Sequence, residues 1–319
     1  MAGQVAGRYD VVVVGGGAAG FSAALTLVRA RRSVAVVDAG EPRNAPADGV
    51  HGLLGLDGIR PDELLSRGRA EVIGYGGEVH DGEVVDVSRE SDGFSVTLRD
   101  GAVVHTRRLL IATGLVDELP PIPGVRKQWG RGVLHCPYCH GWEVRDRRIG
   151  VVGADPMAVH KAIMFRQWSS DVVFFDHGDD VEPQDRVKLD ALGISIVSGG
   201  IATLETAGDQ LTGVRLDDGR LVAIDALVVS TRMVARTEVF AGLGIEPTIH
   251  PAGAFIETDP FGATSVPGVW AAGNSSDISA QVSNAAADGA RAAQHINTDL
   301  IMKDLERAVA SLSDREGEF

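Results

Sequence analysis

Cysteine is nearly absent from this chain, because only Cys136 and Cys139 occur among its 319 residues. Secreted domains often use many cysteines as disulfide cross-links, so this count argues against a fold held together by disulfides. Both cysteines lie in one C-x-x-C, within the segment VLHCPYCHGWEV. In a chain without an export signal, that spacing indicates redox chemistry.

Long apolar runs and basic clusters are also missing. No run approaches the roughly 18 residues of a membrane-spanning helix, and no positively charged region precedes the apolar run at the N-terminus. Lysine and arginine cluster only in pairs such as Arg31-Arg32, and the net charge of −14 repels phosphate backbones. We therefore expect a soluble cytoplasmic protein that binds neither membranes nor nucleic acid.

Aromatic residues make up only 5% of the chain, whereas the chain contains 40 glycines. This balance favours an α/β protein with many tight turns between strands and helices. The hydrophobic fraction of 44% is that of a globular protein. The chain length corresponds to about two domains.

The opening segment predicts a strand, a helix and a second strand in succession. A strand is expected over residues 9–14, an amphipathic helix over 18–30 and a strand over 33–38. Short antiparallel strands are predicted over 77–112, and residues 148–176 repeat the strand–turn–helix–strand pattern. A strand, a turn and a long helix follow near the C-terminus, so the chain contains an internal duplication.

The first turn carries the fingerprint Gly15-x-Gly17-x-x-Gly20, and Asp38 ends the second strand. Glycines let the backbone approach a pyrophosphate, and the helix N-terminus attracts it. An acid at the second strand's end accepts a hydrogen bond from a ribose hydroxyl. The sequence therefore predicts dinucleotide binding.

Three motifs, the opening GxGxxG, IATG and VWAAGN, resemble those of flavoprotein reductases with two dinucleotide folds. With the C-x-x-C, residues 8–300 are most similar to the low-molecular-weight bacterial thioredoxin reductases. The resemblance implies an α/β fold of two Rossmann-like three-layer domains, the second inserted in the first. An FAD domain would comprise 1–117 and 248–319, and a cysteine domain with a degenerate NADPH-type fold would comprise 118–247.

The resemblance also implies which residues hold FAD. Asn274 stands where the family usually has aspartate, so its hydrogen bond to the ribityl chain is expected with a different side chain. The implied cofactor-binding residues are Gly15, Gly17, Ala18, Ala19, Gly20, Asp38, Ala112, Thr113, Gly114, Gly273, Asn274, Gln281 and Val282. No metal is expected.

The second dinucleotide turn departs from the family pattern. It reads Gly153-Ala154-Asp155-Pro156-Met157-Ala158, which puts a carboxylate where a phosphate would bind. Asp155 is expected to be the N-cap of its own helix. Acids follow the next strand where the family places arginines for the 2′-phosphate, namely Asp176, Asp179, Asp180 and Glu182. We therefore hypothesise that the NADPH site is vestigial.

Four chemistries compete for the segment HCPYCHGWE. A c-type haem attachment normally requires export, and a structural zinc site requires four ligands that the sequence does not offer at ligand spacing. C-P-Y-C also matches glutaredoxins, but here it follows a flavin-type crossover. Thiol–disulfide exchange fits the spacing and the context best.

The resemblance implies that Cys139 faces the flavin and that Cys136 meets the external dithiol. Thioredoxin reductases have an acid after the second cysteine, whereas this chain has His140. A histidine can accept a thiol proton and return it, and the alternative is a ring bonded to the local turn. His135 is taken as structural, and Tyr138 and Trp142 either line a substrate pocket or pack against the flavin domain.

The segments CPYCHG, DAGEPRNAPA and HGLLGLDG resemble FAD-dependent dithiol oxidases of the holomycin and gliotoxin kind. That resemblance predicts a small-molecule dithiol as substrate, O2 as terminal acceptor with release of H2O2, and a homodimer. A disulfide reductase fed by NADPH or ferredoxin remains an alternative. A redox-sensing flavoprotein without turnover is a second alternative.

Overall fold

The computed structural model describes residues 7–155, 157–178 and 180–316. The chain divides into two compact units. The first contains 1–45, 61–116 and 233–319, and the second contains 46–60 and 117–232. The second unit is thus inserted in the first, which confirms the predicted α/β class of two Rossmann-like domains.

The observed division differs from the expected boundaries at two places. The chain returns to the first unit at Met233 rather than at residue 248. Residues 46–60, which lie early in the sequence, belong to the second unit. No local sequence pattern marks either of these boundaries.

The strands are, in chain order, β1 (Arg8–Val14), β2 (Val34–Asp38), β3 (Glu78–Asp81), β4 (Val84–Glu90), β5 (Gly93–Leu98), β6 (Val103–Ile111), β7 (Leu115–Glu118), β8 (Val133–Leu134), β9 (Ile149–Val152), β10 (Val172–Phe175), β11 (Ser195–Val197), β12 (Ile201–Ala207), β13 (Gln210–Leu216), β14 (Leu221–Ala223), β15 (Ala226–Val228), β16 (Arg232–Ala235), β17 (Thr248–His250), β18 (Gly253–Phe255) and β19 (Val269–Ala271). The α-helices are α1 (Ala18–Arg29), α2 (Pro61–Gly74), α3 (Val125–Gln128), α4 (Pro137–His140), α5 (Ala158–Phe165), α6 (Pro183–Ala191) and α7 (Val282–Glu316). Two short 3-10 helices span Glu238–Leu243 and Gly273–Ser275.

The predicted βαβ units are present with small shifts at their ends. The first βαβ unit is predicted over 9–14, 18–30 and 33–38, and β1, α1 and β2 confirm it. β1 begins one residue earlier than predicted, α1 ends one residue earlier, and β2 begins one residue later. The predicted repeat over 148–176 is confirmed by β9, α5 and β10. Hydrophobic periodicity therefore located both dinucleotide-type turns.

The sheet of the first unit has the order β3-β2-β1-β6-β5-β4, and β19 also pairs with β6. β1 runs parallel to both β2 and β6. Alternate valines of β1 contribute to two cores. Val11 and Val13 pack with α1 and α7, whereas Val12 and Val14 pack with the antiparallel strands. Burial on both faces explains the unbroken valine run.

The second unit contains a parallel sheet of order β11-β10-β9-β15-β8 and an antiparallel sheet of β12, β13 and β14. Phe174 of β10 packs in the core that contains α5 residues, and Phe175 packs in the core that contains β12 and β13 residues. The alternation again separates two faces of one strand. The second dinucleotide turn follows the carboxyl end of β9, and Asp176 follows the carboxyl end of the neighbouring strand β10.

Helices α1 and α7 pack so closely that one glycine is required between them. A Cβ atom added at Gly289 of α7 would lie 2.0 Å from the carbonyl oxygen of Ala19. We expect Gly289→Ala to destabilise the protein by about 1–3 kcal/mol, because backbone must move to admit the methyl group. Gly74→Ala is the matched control.

An added Cβ at Gly74 of α2 meets no atom within 4 Å. This substitution should leave stability unchanged or raise it by up to about 1 kcal/mol. Both free energies of unfolding are measured by denaturant titration. Equal effects of the two substitutions would contradict the close packing of α7 on α1.

Candidate active site

The first dinucleotide turn is shaped by contacts that only glycine permits. Gly15 has φ +108°, and a Cβ atom there would lie 2.3 Å from the carbonyl oxygen of Ala112. A Cβ atom at Gly20 would lie 1.9 Å from the carbonyl oxygen of Gly15. The turn and the start of α1 are thereby pressed against the end of β6.

Gly17 leaves an open space at the N-terminus of α1. An added Cβ there has no heavy atom of the chain within 4 Å, and no side chain caps this end of the helix. The first-turn residues Ala18 and Ala19 carry no side chain that would obstruct an approaching group. An uncapped helix N-terminus without a Cβ is suited to a phosphate oxygen.

Asp38 is fixed at the end of β2. Its Oδ1 accepts a hydrogen bond of 3.1 Å from the backbone N–H of Gly16. A Cβ at Gly16 would lie 2.5 Å from the carboxyl carbon of Asp38, so glycine is needed for this approach. The carboxylate retains acceptor capacity for a ribose hydroxyl.

The predicted segment 112–114 is held by a serine that the sequence did not single out. The backbone N–H of Gly114 donates to Ser275 Oγ at 2.9 Å, and Ser275 is fully buried. Thr113 Oγ1 donates to the carbonyl oxygen of Arg236 at 3.1 Å. The Ser275 bond joins the end of β6 to the turn after β19, where Gly273 and Asn274 lie, and the Arg236 bond joins it to the segment after β16.

Asn274 orders its own loop. Its Nδ2 donates to the carbonyl oxygens of Asp277 and Ala280, each at 2.9 Å, and its Oδ1 accepts from Arg43 at 3.4 Å. The loop leads to Gln281 and to Val282, where α7 begins. The asparagine therefore positions this helix start, and any ribityl contact would use its remaining acceptor capacity.

The two cysteines of the second unit lie together as a dithiol. Cys136 is the N-cap residue of α4, and Pro137 occupies the first helical position, where proline is favoured. The two sulfur atoms are 2.7 Å apart, with Cys139 donating to Cys136. This one-turn helix brings both thiols, each partly buried, into bonding range.

His140 follows the pair and has a dry ring. Both ring nitrogens are buried, and neither has a hydrogen-bond partner among the described residues. The alternative that its ring bonds the local turn is therefore wrong. Burial lowers the pKa of His140 below the ordinary 6.5, Glu143 and Asp48 oppose this shift, and His51 adds to it. The neutral ring is ready to accept a proton.

Aromatic side chains surround the cysteine segment. A Cβ at Gly141 would lie 2.7 Å from the ring of Trp168, and Tyr138 meets that ring edge-on at 5.9 Å. Tyr138 and Trp142 are 66% and 64% exposed. Arg145 lies 4.2 Å above the Trp142 ring. His135 Nδ1 contacts the carbonyl oxygen of Val229 at 3.3 Å, as expected for a structural residue.

The second dinucleotide turn is filled by its own side chains. Asp155 Oδ1 accepts from the backbone N–H of Met157 at 2.7 Å, and Oδ2 is bonded by Ser230. Lys161 Nζ donates to Ser230 Oγ and lies 3.7 Å from Asp155 Oδ2. Burial lowers the pKa of Lys161, and Asp155 opposes that shift. A carboxylate thus occupies the turn.

The expected N-cap assignment needs correction. The N-cap residue of α5 is Met157, and the helix begins at Ala158. Asp155 lies two residues earlier and forms a turn with the Met157 N–H. Pro156 lies outside the described residues.

Asp176 follows β10, and its carboxylate accepts hydrogen bonds from backbone N–H groups of the second unit. Its Oδ1 accepts from the backbone N–H groups of Gly178 and Gly199 at 3.1 and 3.0 Å. Burial raises the pKa of Asp176, but bonds from Ser198 and these amides outweigh it and leave the pKa low. Arg186 of α6 also lowers it, a guanidinium that the sequence analysis missed.

Asp180 and Glu182 follow in an exposed loop. Asp179, the other predicted acid, lies outside the described residues. Among the residues the structure describes, no group of three or more His, Cys, Asp or Glu side chains could hold a metal ion. Over the same residues, no helix has the length and apolar character that crossing a membrane requires.

The sequence matches the family described as pyridine nucleotide-disulphide oxidoreductase over residues 9–289. The chain belongs to this family. Thioredoxin reductase tcpT of Claviceps purpurea is 32% identical over 92% of this chain and 94% of its own length. Thioredoxin reductase sirT of Leptosphaeria maculans is 32% identical over 93% and 96%. The crystal structure of HlmI matches with a TM-score of 0.92 and 46% identity, covering 98% and 99% of the chains.

The thioredoxin reductase-like members of this oxidoreductase family bind FAD, and FAD is the cofactor of this chain. The first unit fits such a dinucleotide by its own geometry. Gly17 leaves room at an uncapped helix N-terminus, and Asp38 is oriented at the end of β2. These residues would receive the pyrophosphate and a ribose.

The space beside Gly17 gives a direct test of this fit. We expect Gly17→Ala to lower the FAD content of the purified protein several-fold, because the methyl group would meet only the pyrophosphate. The backbone at Gly17, with φ −77° and ψ −173°, is accessible to alanine, so unfolding of the apoprotein should change little. Flavin absorbance per chain is measured, with Ser22→Ala in α1 as control. Full FAD content in Gly17→Ala would contradict the assignment.

Proposed function

We propose that this oxidoreductase is an FAD-dependent dithiol oxidase. It would use Cys136 and Cys139 to convert a small-molecule dithiol into a disulfide, with O2 as terminal acceptor and H2O2 as the second product. The observation that carries the proposal is the second dinucleotide turn, where Asp155 is bonded by Ser230 and paired with Lys161.

The carboxylate of Asp155 opposes a second dinucleotide. Two like charges about 4 Å apart repel by about 1 kcal/mol in water and about 4 kcal/mol at an effective dielectric of about 20. Lys161, whose Nζ lies 3.7 Å from Asp155 Oδ2, is already paired with that carboxylate. The Asp176 carboxylate accepts two backbone amides instead of a ribose hydroxyl. Together these contacts support a chain that takes its electrons from a thiol rather than from NADPH.

The residues of the cysteine segment support the chemical roles. In the oxidised enzyme, a substrate thiolate would attack Cys136 of the Cys136–Cys139 disulfide, which forms a mixed disulfide and releases Cys139 as a thiolate. The second substrate thiolate would then attack its own mixed-disulfide sulfur, releasing Cys136. His140, dry and neutral, would hold the substrate thiol proton and return it to a cysteine.

FAD held in the first unit would supply the two-electron redox chemistry that links the cysteine dithiol to dioxygen, with hydrogen peroxide as the product. The chain's contribution is to bind the cofactor at Gly17 and Asp38. Any thiol couple lies far below oxygen in potential, so the direction is downhill.

The resemblance of CPYCHG and HGLLGLDG to dithiol oxidases of the holomycin and gliotoxin kind supports a natural-product substrate. The exposed rings of Tyr138 and Trp142 beside the cysteines offer an apolar surface to such a molecule. An exposed apolar face of α7 supports the expected homodimer. Its residues are Ile301, Met302, Leu305, Val309 and Leu312.

A disulfide reductase fed by NADPH is the second candidate, because relatives such as tcpT and sirT carry the name thioredoxin reductase. The two reactions run electrons through the same cysteines in opposite directions. Oxygen consumption therefore separates them. Catalytic uptake with a dithiol and no NADPH supports the oxidase, and a single stoichiometric event supports a redox sensor.

The cysteines give the first test of the oxidase. We expect Cys136→Ser and Cys139→Ser each to lower dithiol-dependent oxygen uptake to background, because neither variant can form the intramolecular disulfide. The FAD content should remain that of the parent protein. An oxygen electrode and flavin absorbance measure the two quantities. Retention of dithiol-dependent oxygen uptake in either variant would contradict the cysteine mechanism.

Asp155 gives the second test. Asp155→Asn keeps an acceptor for the Met157 N–H but removes the negative charge, so NADPH should bind about one to three orders of magnitude more tightly. Titration calorimetry with NADPH measures the change. Asp180→Asn, in the exposed loop, is the control and should have little effect. Equally tight NADPH binding by the parent protein and Asp155→Asn would be the contrary result.

A further inference from the structure

Residues 46–60, termed the 46–60 loop, belong to the same unit as the cysteines, although residues 61–116 of the first unit come between them along the chain. The loop is closed by two backbone bonds of 2.8 Å between Val50 and its opposite strand, from Val50 N to Ile59 O and from Gly58 N to Val50 O. Its first residue, Pro46, packs so near Gly130 that a Cβ there would lie 2.7 Å from the proline ring. The loop is therefore an ordered part of the second unit.

His51 of this loop lies between two carboxylates. Its Nδ1 is 3.5 Å from Asp57 Oδ2 within the loop, and its Nε2 is 3.4 Å from Glu143 Oε1. Asp57 is itself oriented, since its Oδ1 accepts from the Gly52 N–H at 2.8 Å. Glu143 lies three residues after His140. His51 thus connects the 46–60 loop to the cysteine segment.

The same loop forms part of the surroundings of His140. Both nitrogens of that ring are buried and lack a hydrogen-bond partner in the part of the chain that the structure describes. The charged groups that act on the ring are Glu143, His51 and Asp48. Two of these three, His51 and Asp48, come from the 46–60 loop, so the position of the loop affects the charges around His140.

We propose that His51 is a positioning residue whose contacts with Asp57 and Glu143 hold the 46–60 loop beside His140 and keep both nitrogens of that ring buried. The importance of His140 rests on the proposed function, in which it carries the thiol proton. The contacts of His51 do not, so they can be tested without turnover. His51 itself need not touch the substrate.

The direction of the effect follows from the groups around the ring. Burial is the main cause that lowers the pKa of His140, and His51 lowers it further, whereas Glu143 and Asp48 raise it. Removing His51 would expose the His140 ring to water and would remove a neighbour that lowers its pKa, so both changes raise the pKa of His140. The neutral ring then persists only at higher pH. The acidic limb of kcat/KM should shift to higher pH accordingly.

The experiment is an NMR titration of histidine-labelled holoprotein without substrate, with the His140 signal assigned by its loss in His140→Gln. In His51→Ala the midpoint of His140 should rise by roughly half a pH unit or more, toward the ordinary value of about 6.5. The control is His105→Ala, which removes another histidine–glutamate pair, 3.0 Å from Glu90 in the first unit. An unchanged His140 midpoint in His51→Ala would overturn the proposal.

A second variant separates position from charge. Asp57→Asn leaves both His51 and Glu143 in place but weakens the contact that orients His51. We expect the His140 midpoint to rise in this variant as well, by less than in His51→Ala. If His51→Ala alone shifts the midpoint, only the charge of His51 acts, and the positioning role is wrong. A failed oxygen-uptake assay would leave both titration results interpretable, because they do not require catalysis.

Discussion

The charge at the second dinucleotide turn constrains the function of the whole chain. In a Rossmann-type unit, the helix N-terminus after the first strand is the place that attracts a phosphate. Here Asp155 occupies that place, accepts the Met157 N–H and is paired with Lys161. The unit keeps the strands and helix of a coenzyme-binding fold while its own carboxylate opposes an anionic coenzyme. Under the proposed function, electrons come instead from a substrate dithiol and pass through the Cys136–Cys139 pair.

The two turns show how one fold serves opposite purposes. In the first unit, Gly17 leaves the helix N-terminus open. Gly15 and Gly20 allow close backbone approaches within and around the turn that a Cβ atom would block. In the second unit, Gly153 performs the same packing role, since a Cβ there would lie 2.6 Å from the ring of Phe174. The difference lies two residues later, at Asp155. Under the proposed function, this side chain distinguishes the turn that binds FAD from a turn that binds no coenzyme, so fold alone does not decide function.

Patterns that depend on neighbouring residues were readable from the sequence. The valine run of β1, the glycine fingerprint and the C-x-x-C were all found there, because strand alternation, backbone space and ring closure are local properties. Contacts across the chain were not readable. Ser275, Ser230 and the 46–60 loop act on residues between 75 and 161 positions away. The start of α5 at Ala158 was also missed, because Asp155 bonds the turn before the helix.

The proposed function requires that electrons enter from a dithiol and not from NADPH. The most direct measurement is the visible absorbance of the bound flavin in an anaerobic stopped-flow experiment, with equal reducing equivalents of a small dithiol or of NADPH. We expect rapid loss of the oxidised flavin spectrum with the dithiol and little change with NADPH. Bleaching by NADPH that is as fast as bleaching by the dithiol would contradict the proposed function.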